Sequence, residues 1–376
     1  MRVITQLPHR DLREVQTFAR KMEDCSMDSV VALENQHNPY LPLAAAALVT
    51  NKIQLGTAVA MAFPRAPVIT AMEAWDIHAA SNGRMFLGLG PQVKPHNERR
   101  YGIAWSEPAP RLRDYVDATR AIWRCWENGG GADPTEPLNF KSETYNLSLM
   151  TPNFSPEPTG LNMPPIAISA IGPKMLTLAA ERCDGVRLHP FSSRQYLEEV
   201  SNRILNDSFA ATGRDRSNFE LVTGGFIATG PTKEAMLEMR EYVRFRIAFY
   251  CSTKAYANVH AMHGLEELRE KLVPYARAGR WDEMAACIPD ELIDIFAVCG
   301  TYDTIAEQLE DHYSGLGDTI YLPTHNNCPI PDDKLARVVE KLQAIPMKFK
   351  GYRNGTDWTT KPEPLPQRGA PEAPAA

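Results

Sequence analysis

Short apolar runs alternate with amphipathic segments along most of this chain. Two apolar runs, Ile53–Met61 and Met85–Leu89, flank a segment in which Ala71, Trp75 and His78 recur at three- and four-residue steps. Apolar runs of this length are typical of buried strands, and the recurring spacing is typical of one buried helix face. The pattern therefore predicts a strand–helix–strand unit, and such units build parallel sheets.

The same alternation extends over most of the sequence. Eight candidate strands begin near residues 2, 29, 53, 85, 166, 186, 219 and 319, and helical segments separate every neighbouring pair. Eight repeats favour a (β/α)8 barrel, a TIM barrel, and the alternative is a doubly wound open sheet of five or six strands. Two excursions are expected: 128–164, after the fourth helix and with a hairpin around 140–147, and 251–298, between strands seven and eight.

The remaining segments complete the predicted organisation. Residues 91–110 are interpreted as a long polar loop. Residues 1–345 form one barrel domain, and the Pro-rich segment 346–376 is expected to be a disordered tail. One domain of this size is ordinary for a (β/α)8 barrel.

Composition narrows the classes of function. The chain has 376 residues, a net charge of −6 and no block of Lys or Arg, which argues against a nucleic-acid partner. Its seven cysteines are scattered and include no Cys-x-x-Cys pair, which favours reduced thiols in the cytoplasm over a disulfide framework, and we expect no metal site. The N-terminus carries charge where a signal peptide needs an apolar run, and no stretch is suited to crossing a membrane.

In a (β/α)8 barrel, the residues that follow each strand form one rim, where ligands bind. Glu34 and His37 lie within three residues on the loop after the second strand. A carboxylate and an imidazole at this distance suit an acid/base pair. A solvated loop that turns at Asn38-Pro39 is the alternative.

Small residues end the third and fourth strands. Gly56, Thr57 and Ala58 lie in one strand, and Gly88 and Gly90 lie in the other. A flat ring could approach such a surface, although these glycines could also serve packing between strands. The Leu87–Gln92 stretch resembles half of a dinucleotide fingerprint but lacks the third glycine and the helix that must follow. Its backbone N–H groups at Gly90 and Gln92 are instead candidates to bind a polar ligand edge.

Three more rim positions carry candidate chemistry. After the fifth strand, Gly172 permits an unusual turn and Pro173 suits the first position of a helix, whose free N–H groups and dipole favour an anion. His189 follows the sixth strand beside Phe191, which suits an apolar pocket with one polar group. His96 lies on the loop after the fourth strand. The alternatives are an ordinary turn at Gly172, a packed histidine at His189 and a surface histidine at His96.

Several longer stretches resemble a known family. These are LGTAVAMAFPRAPVITAMEAWDIHAASNGRMFLGLG, WSEPAPRLRDYVDATRAIWRCW and SAIGPKMLTLAAERCDGV, followed by FRIAFYCSTKAYANV and DIFAVCGTYDTIAEQL. They resemble the bacterial luciferase-like flavin enzymes, and most closely the branch that depends on coenzyme F420, a deazaflavin. The resemblance covers nearly the whole chain up to about residue 345.

The resemblance implies a (β/α)8 barrel that binds F420, or alternatively FMN, non-covalently at the carboxyl-end rim. It implies a non-proline cis peptide bond behind the ring, at Ala58–Val59, and it matches Glu34 to an acidic residue beside the cofactor or substrate. By motif position, the cofactor-binding residues would be Thr57, Ala58, Val59, Gly90, Pro91, Gln92, Ala170, Ile171, Gly172 and Pro173.

The sequence also departs from this family. Many relatives have His directly after the acidic residue, where this chain has Asn35, so His37 would take that role. Relatives often have Ser or Thr where this chain has Pro91, which lacks a hydroxyl group and an N–H. The residues assigned to the substrate pocket are Asn35, His96, His189 and Tyr250.

Three functions follow from the resemblance. The first is an oxidoreductase in which reduced F420 exchanges a hydride with a small organic substrate while His37 or Glu34 handles the proton. The second is an FMN-dependent monooxygenase that acts with molecular oxygen. The third is a cofactor-binding barrel without turnover. Relatives also imply a homodimer.

Overall fold

The structure is a computed structural model, which describes residues 1–8, 11–130, 137–324 and 332–352. The strands in chain order are β1 (Arg2–Gln6), β2 (Ser29–Ala32), β3 (Gln54–Thr57), β4 (Ala60–Met61), β5 (Met85–Gly90), β6 (Phe140–Lys141), β7 (Asn146–Leu147), β8 (Ile166–Ala170), β9 (Gly185–Leu188), β10 (Glu220–Val222), β11 (Phe226–Gly230), β12 (Ala297–Thr301) and β13 (Thr319–Tyr321).

Helices cover the outside of these strands. They are α1 (Leu12–Asp24), α2 (Tyr40–Ala47), α3 (Pro67–Ala80), α4 (Lys94–Arg99), α5 (Pro108–Glu127), α6 (Pro173–Arg182), α7 (Arg194–Tyr196), α8 (Arg203–Thr212), α9 (Lys233–Cys251), α10 (Ala257–His263), α11 (Glu266–Ala278), α12 (Trp281–Ala285), α13 (Asp290–Phe296), α14 (Ile305–Tyr313) and α15 (Asp332–Gln343). None of these helices has the length and the apolar character needed to cross a membrane.

The main sheet closes into a parallel barrel of eight strand positions, as predicted. Its order is β3-β2-β1-β13-β10-β9-β8-β5-β4, and the pairing of β3 with β5 completes the ring. β3 and β4 occupy one strand position, because both pair with β5 on either side of a break at 58–59. The predicted (β/α)8 fold is confirmed, and the open-sheet alternative is excluded.

Local signals explain where several helices begin and end. The Asp11 side chain caps α1 by accepting a hydrogen bond from the Arg13 N–H, and α3 begins with Pro67, which has no N–H to leave unpaired. The α8 helix ends at Gly213, whose φ of 67° lies in the left-handed region that glycine adopts easily. The buried faces of these helices pack on the outside of the barrel.

The seventh strand is shorter than predicted. We expected one strand over 219–228, but β10 ends at Val222 and the chain turns at Gly224 and Gly225, where Gly225 has a φ of +103°. The next strand, β11, leaves the barrel and pairs in parallel with β12 as a separate two-stranded sheet. The second excursion therefore begins inside the predicted strand and contains α9–α13.

Two other segments differ from the prediction. The predicted loop 91–110 contains α4 and the start of α5, since Pro95 and Pro108 lie in first turns, where a missing N–H does no harm. By contrast, the predicted hairpin at 140–147 agrees with the structure and is confirmed as β6 and β7. Residues 346–352, expected to begin a disordered tail, pack against the barrel, and the rest of that segment lies outside the described residues.

The amino end of the barrel is closed by a network of buried polar groups, which we call the floor. Arg2 Nη1 lies 2.5 Å from Glu220 Oε1, and Thr319 Oγ1 donates to the same oxygen at 2.7 Å. The Tyr352 hydroxyl donates to the other carboxylate oxygen of Glu220. Above this network, an apolar cluster of Ile4, Val31, Phe86 and Val222 fills the barrel interior.

Candidate functional site

The carboxyl ends of three neighbouring strand positions meet at one place on the rim. Ala60 of β4 pairs with Leu89 of β5, and Leu89 pairs with Ile168 of β8. A Cβ atom added at Gly90 would lie 2.6 Å from Val59 Cγ2 and 2.9 Å from Ser169 Oγ. Ala58, Val59, Gly90 and Ser169 therefore form one surface, which we call the shelf.

The segment that carries the shelf is held on both sides. The peptide bond between Ala58 and Val59 is cis, which confirms the expectation from the resemblance. The Ala58 N–H donates to the Ala32 carbonyl at 2.8 Å, and the Thr57 hydroxyl both donates to the Gly88 carbonyl (2.6 Å) and accepts from the Gly88 N–H (2.9 Å). Thr57 is fully buried and supports the shelf from behind.

Two of the glycines that suggested an open surface serve packing instead. A Cβ atom at Gly56 would lie 2.0 Å from the Phe86 ring, and one at Gly88 would lie 2.0 Å from the Thr57 carbonyl oxygen. At Gly56 the neighbour is a ring of the barrel interior and at Gly88 it is the backbone of the adjacent strand, whereas the neighbours of Gly90 are the shelf residues Val59 and Ser169. Of the three glycines in these strands, Gly90 alone belongs to the shelf.

The loop after β5 is anchored by a residue that the sequence did not single out. Asn97 in α4 is almost fully buried, and its side-chain amide donates to the Pro91 carbonyl at 2.9 Å. Gln92 has a φ of 58°, and its side-chain oxygen accepts from the Val93 N–H at 2.8 Å. The predicted cofactor loop thus has a defined conformation, which depends on a buried asparagine.

Glu34 forms contacts on both carboxylate oxygens. Its carboxylate accepts from the Met61 N–H at 2.6 Å and from Arg65 Nη1 at 2.7 and 2.9 Å. Arg65 Nε also lies 3.5 Å from Glu73, and burial raises the pKa of the Glu73 carboxyl. The sequence did not identify Arg65 or Glu73, because only the fold places the α3 entry beside the β2 loop.

The loop that carries Glu34 also places the other predicted polar residues. His37 is exposed, and the Asn35 side chain accepts from the Gln36 N–H. Arg100, at the end of α4, donates to the Asn35 carbonyl and so joins this loop to the helix that carries the exposed His96. Asn35 and His96 therefore lie on adjoining elements of the rim.

The predicted anion site lies where α6 begins. Pro173 is the first residue of α6, as expected, but Gly172 has a φ of −86°, so this turn is ordinary extended backbone and does not require glycine. A Cβ atom at Gly172 would lie 3.4 Å from the Asn258 side-chain amide, and the Tyr196 hydroxyl donates to the Ile171 carbonyl at 2.8 Å. The second excursion therefore covers this turn, which comes two residues after Ala170 at the end of β8.

His189 and Tyr250 come together, as the assignment to one pocket requires. Their ring centroids are 4.4 Å apart. His189 Nδ1 accepts from the Phe191 N–H at 3.0 Å, and His189 Nε2 lies 2.9 Å from the Tyr256 hydroxyl oxygen. Burial, aided by the nearby Arg246, lowers the pKa of His189 to about 3. The imidazole is therefore neutral at pH 7, and its proton lies on Nε2.

Tyr256 and Arg246 are rim residues that the sequence did not identify. Arg246 Nη2 donates to the Tyr250 hydroxyl at 2.9 Å. Both residues belong to the second excursion, and their sequence surroundings contain no motif with a known chemistry. Their partnership with a residue at the end of β9 depends entirely on how that excursion folds back over the barrel.

These features define a class: a closed (β/α)8 barrel with a candidate ligand site at the carboxyl-end rim. A family model described as luciferase-like monooxygenase matches residues 2–319. The chain belongs to this luciferase-like family.

Known proteins resemble the chain over most of its length. Uncharacterized protein Rv1360 of Mycobacterium tuberculosis is 40% identical over 299 residues, which is 80% of this chain and 86% of the relative. The 5,10-methylenetetrahydromethanopterin reductase of Archaeoglobus fulgidus is 28% identical over 312 residues, 81% of this chain and 87% of that enzyme. The coenzyme F420 dependent tetrahydromethanopterin reductase from Methanopyrus kandleri has a similar structure, with a TM-score of 0.74 and 18% identity over 91% of this chain and 98% of that one.

Proposed function

We propose that this protein is an oxidoreductase that binds coenzyme F420 non-covalently and exchanges a hydride between it and a small organic substrate. The observation that carries the proposal is the convergence of Val59, Gly90 and Ser169 on one shelf, with the start of α6 close by on the same rim. The names of the reductases from Archaeoglobus fulgidus and Methanopyrus kandleri support F420 as the cofactor.

The residues present fit a ring with an anionic tail. The shelf carries no side chain larger than valine, so a flat ring can rest on the backbone of Ala58, Val59 and Gly90. The amino end of α6, where the helix dipole is positive, suits a phosphate group. Bound there, the deazaflavin supplies the hydride chemistry, and the protein supplies orientation and electrostatics.

We assign different roles to the two candidate acid/base residues. Glu34 already accepts hydrogen bonds from Met61 and Arg65, so it holds the segment that follows the shelf. His37 lies on the same loop with an exposed imidazole, and it is the better placed of the two to give or take a proton at the substrate.

A second candidate function is an FMN-dependent monooxygenase that acts with molecular oxygen. The description of the matching family favours it, because that description names monooxygenases. The shelf suits an isoalloxazine as well as a deazaflavin, since both are flat tricyclic rings. The cofactor therefore separates the two functions.

Titration of the purified protein with F420 and with FMN, followed by absorption spectroscopy, tests the proposal. We expect F420 to bind and FMN to bind more weakly or not at all. Tighter binding of FMN would support the monooxygenase. If neither compound binds, the proposed function is wrong.

The role of His37 has its own test. Replacing His37 with Ala should lower turnover with reduced cofactor by about 10²-fold or more, the usual contribution of a general acid or base, and should leave cofactor affinity unchanged. Gln36→Ala, which changes the exposed neighbour of His37 on the same loop, serves as the matched control. Unchanged turnover in His37→Ala would show that His37 does not handle the proton.

We also propose that the protein acts as a homodimer in the cytoplasm. Apolar side chains are exposed on the neighbouring helices α2 and α3 and directly after α2: Leu41, Leu48, Ile69 and Met72. Leu48→Asp, at a position 73% exposed, should shift the protein to monomers in analytical ultracentrifugation, whereas Leu149→Asp, 81% exposed on the first excursion, should not. Monomeric wild-type protein would contradict the assignment. The proposed cytoplasmic location is supported by the cysteines, since none of the six within the described residues forms a disulfide.

A further inference from the structure

Two tyrosine hydroxyls on the rim each accept a hydrogen bond from a fixed N–H donor. The neutral His189 donates from Nε2 to the Tyr256 oxygen, because its Nδ1 is occupied by the Phe191 N–H. Arg246 donates from Nη2 to the Tyr250 oxygen. A hydroxyl that accepts one hydrogen bond keeps its own proton to donate elsewhere. For both hydroxyls, no acceptor for that proton occurs within the parts of the chain that the structure describes.

The two hydroxyls belong to one compact cluster. The rings of Tyr250 and Tyr256 are 5.6 Å apart, and both rings pack against His189 at 4.4 and 4.5 Å. Phe191 borders the same cluster. Both tyrosines are half-buried, so their rings are held in place while a ligand can still reach the edge of the cluster.

The position of His189 indicates where this cluster lies relative to the shelf. Arg187, two residues earlier, packs its guanidinium over the Phe86 ring at 4.6 Å and therefore points into the barrel. Side chains two residues apart in an extended chain face the same side, so His189 lies at the mouth of the barrel. The shelf lies on the β4, β5 and β8 side of that mouth, and the tyrosines reach it from the second excursion, beyond β9.

We propose that Tyr250 and Tyr256 are hydrogen-bond donors to an acceptor oxygen of the substrate, aligned by Arg246 and His189 at the end of β9, the strand next to the shelf strand β8. This inference rests on the proposed function, because it takes the shelf as the place of the ring. His189 is a positioning residue: with Nδ1 occupied, it orients the Tyr256 hydroxyl and does not relay a proton.

The donor pair identifies a class of substrate. Two hydroxyl groups can both donate to one oxygen that has two lone pairs, as in a ketone or an aldehyde. The aromatic rings suit an apolar carbon skeleton around that oxygen. A site built from donors disfavours an analogue without the oxygen, because the two hydroxyl protons then have no acceptor on the ligand. The structure thus favours carbonyl compounds with an apolar skeleton.

Binding of carbonyl probes to the cofactor-loaded protein tests this assignment. The probes are cyclopentanone, cyclohexanone and acetophenone, each compared with its oxygen-free counterpart: methylenecyclopentane, methylenecyclohexane and α-methylstyrene. The readout is the change in the absorption spectrum of the bound oxidised cofactor, so turnover is not required. We expect at least one ketone to bind about 25-fold more tightly than its counterpart, since each hydrogen bond contributes roughly fivefold.

Variants separate the roles of the residues. Tyr250→Phe and Tyr256→Phe should each reduce the ketone preference about fivefold, and the double variant should abolish it, while affinity for the oxygen-free probe stays constant. His189→Met should act like Tyr256→Phe, whereas His189→Gln, which keeps an N–H donor, should restore the preference. Tyr242→Phe is the matched control, because Tyr242 also accepts from Arg246 but is exposed, 8 residues earlier on α9.

The outcomes that contradict the assignment are distinct. A double variant that keeps the ketone preference, or a wild-type protein that binds the cofactor and prefers none of the three ketones, would overturn the donor pair and leave the proposed function standing. Failure of the wild-type protein to bind either cofactor would overturn both.

Discussion

The two ends of the barrel differ in how their polar groups are paired. At the floor, charged side chains meet their partners inside the chain: Arg2, Thr319 and Tyr352 all contact the Glu220 carboxylate. At the rim, Ala58, Val59, Gly90 and Ser169 form the shelf, and we propose that the Tyr250 and Tyr256 hydroxyls donate their protons to a ligand. The floor is a buried network within the chain, whereas the rim carries the proposed ligand site, as expected for the two faces of such a barrel.

Residues 346–352, the described part of the C-terminal segment, add to the floor. Asp318 accepts hydrogen bonds from the backbone N–H groups of Lys348 and Phe349 at 3.0 and 2.9 Å, and Phe349 is buried. This contact brings Tyr352 to Glu220. The comparison therefore predicts that changes at the floor alter stability and that changes at the rim alter binding.

The largest effect on stability is expected at the floor. Arg2→Met removes the guanidinium that lies 2.5 Å from the buried Glu220 carboxylate and leaves Arg187 as the remaining cation nearby, which should lower the free energy of unfolding by about 3–5 kcal/mol. Urea unfolding at pH 7 measures this change. Arg13→Met removes an exposed ion pair on α1 and should leave the unfolding midpoint unchanged. Equal effects of the two substitutions would show that the floor network contributes little.

At the rim, the corresponding change should affect binding more than folding. Gly90→Val adds atoms where Val59 and Ser169 already lie within 3 Å, so the shelf must shift. We expect a loss of about 1–3 kcal/mol in stability, as for other overpacked sites, and cofactor binding too weak to detect. Gly172→Ala, which adds a Cβ atom at ordinary contact distance, is the control for stability. Cofactor affinity that survives Gly90→Val would contradict the assigned place of the ring.

The smallest expected effect is a difference between the two ends of the barrel in how stability depends on pH. The pKa of His189 is lowered to about 3 in the folded protein, from an ordinary value of 6.5, so below pH 6.5 the unfolded state binds a proton that the folded state does not. This group therefore removes stability as pH falls from 6.5, by at most about 1.4 kcal/mol per pH unit.

At the floor, stability is also lost as the pH falls, but over a lower range of pH. Although burial alone would raise the pKa of Glu220, Arg2 and its other partners hold it below the ordinary value of 4.5, so its contribution is complete above pH 4.5 and is lost only below that. Between pH 7 and pH 5, His189→Gln should therefore lose less stability than the wild-type protein, and Glu220→Gln should match the wild-type slope. Parallel slopes for wild-type protein and His189→Gln would contradict the low pKa of His189.

Sequence reasoning succeeded where the signal was local or repeated. The eight strands could be predicted because each is a short apolar run between helices, and the cis bond at Ala58–Val59 was expected from motif resemblance. It failed at β10, where an apolar run continues through Gly225 into a second sheet. It left open whether Gly56 and Gly88 face a ligand or serve packing, because a sequence cannot show whether a neighbour already fills the space beside a glycine.

The sequence by itself determined the family, the barrel and the order of segments along the rim, since hydrophobic periodicity and motifs are written locally in the chain. Only the tertiary structure decided the partners: Arg65 on Glu34, Asn97 under Pro91, Tyr352 on Glu220, and Tyr256 on His189. Each of these contacts joins different segments of the chain, and one pair, Tyr352 and Glu220, lies 132 positions apart. Such contacts depend on how helices and excursions fold back over the barrel, which no local pattern encodes.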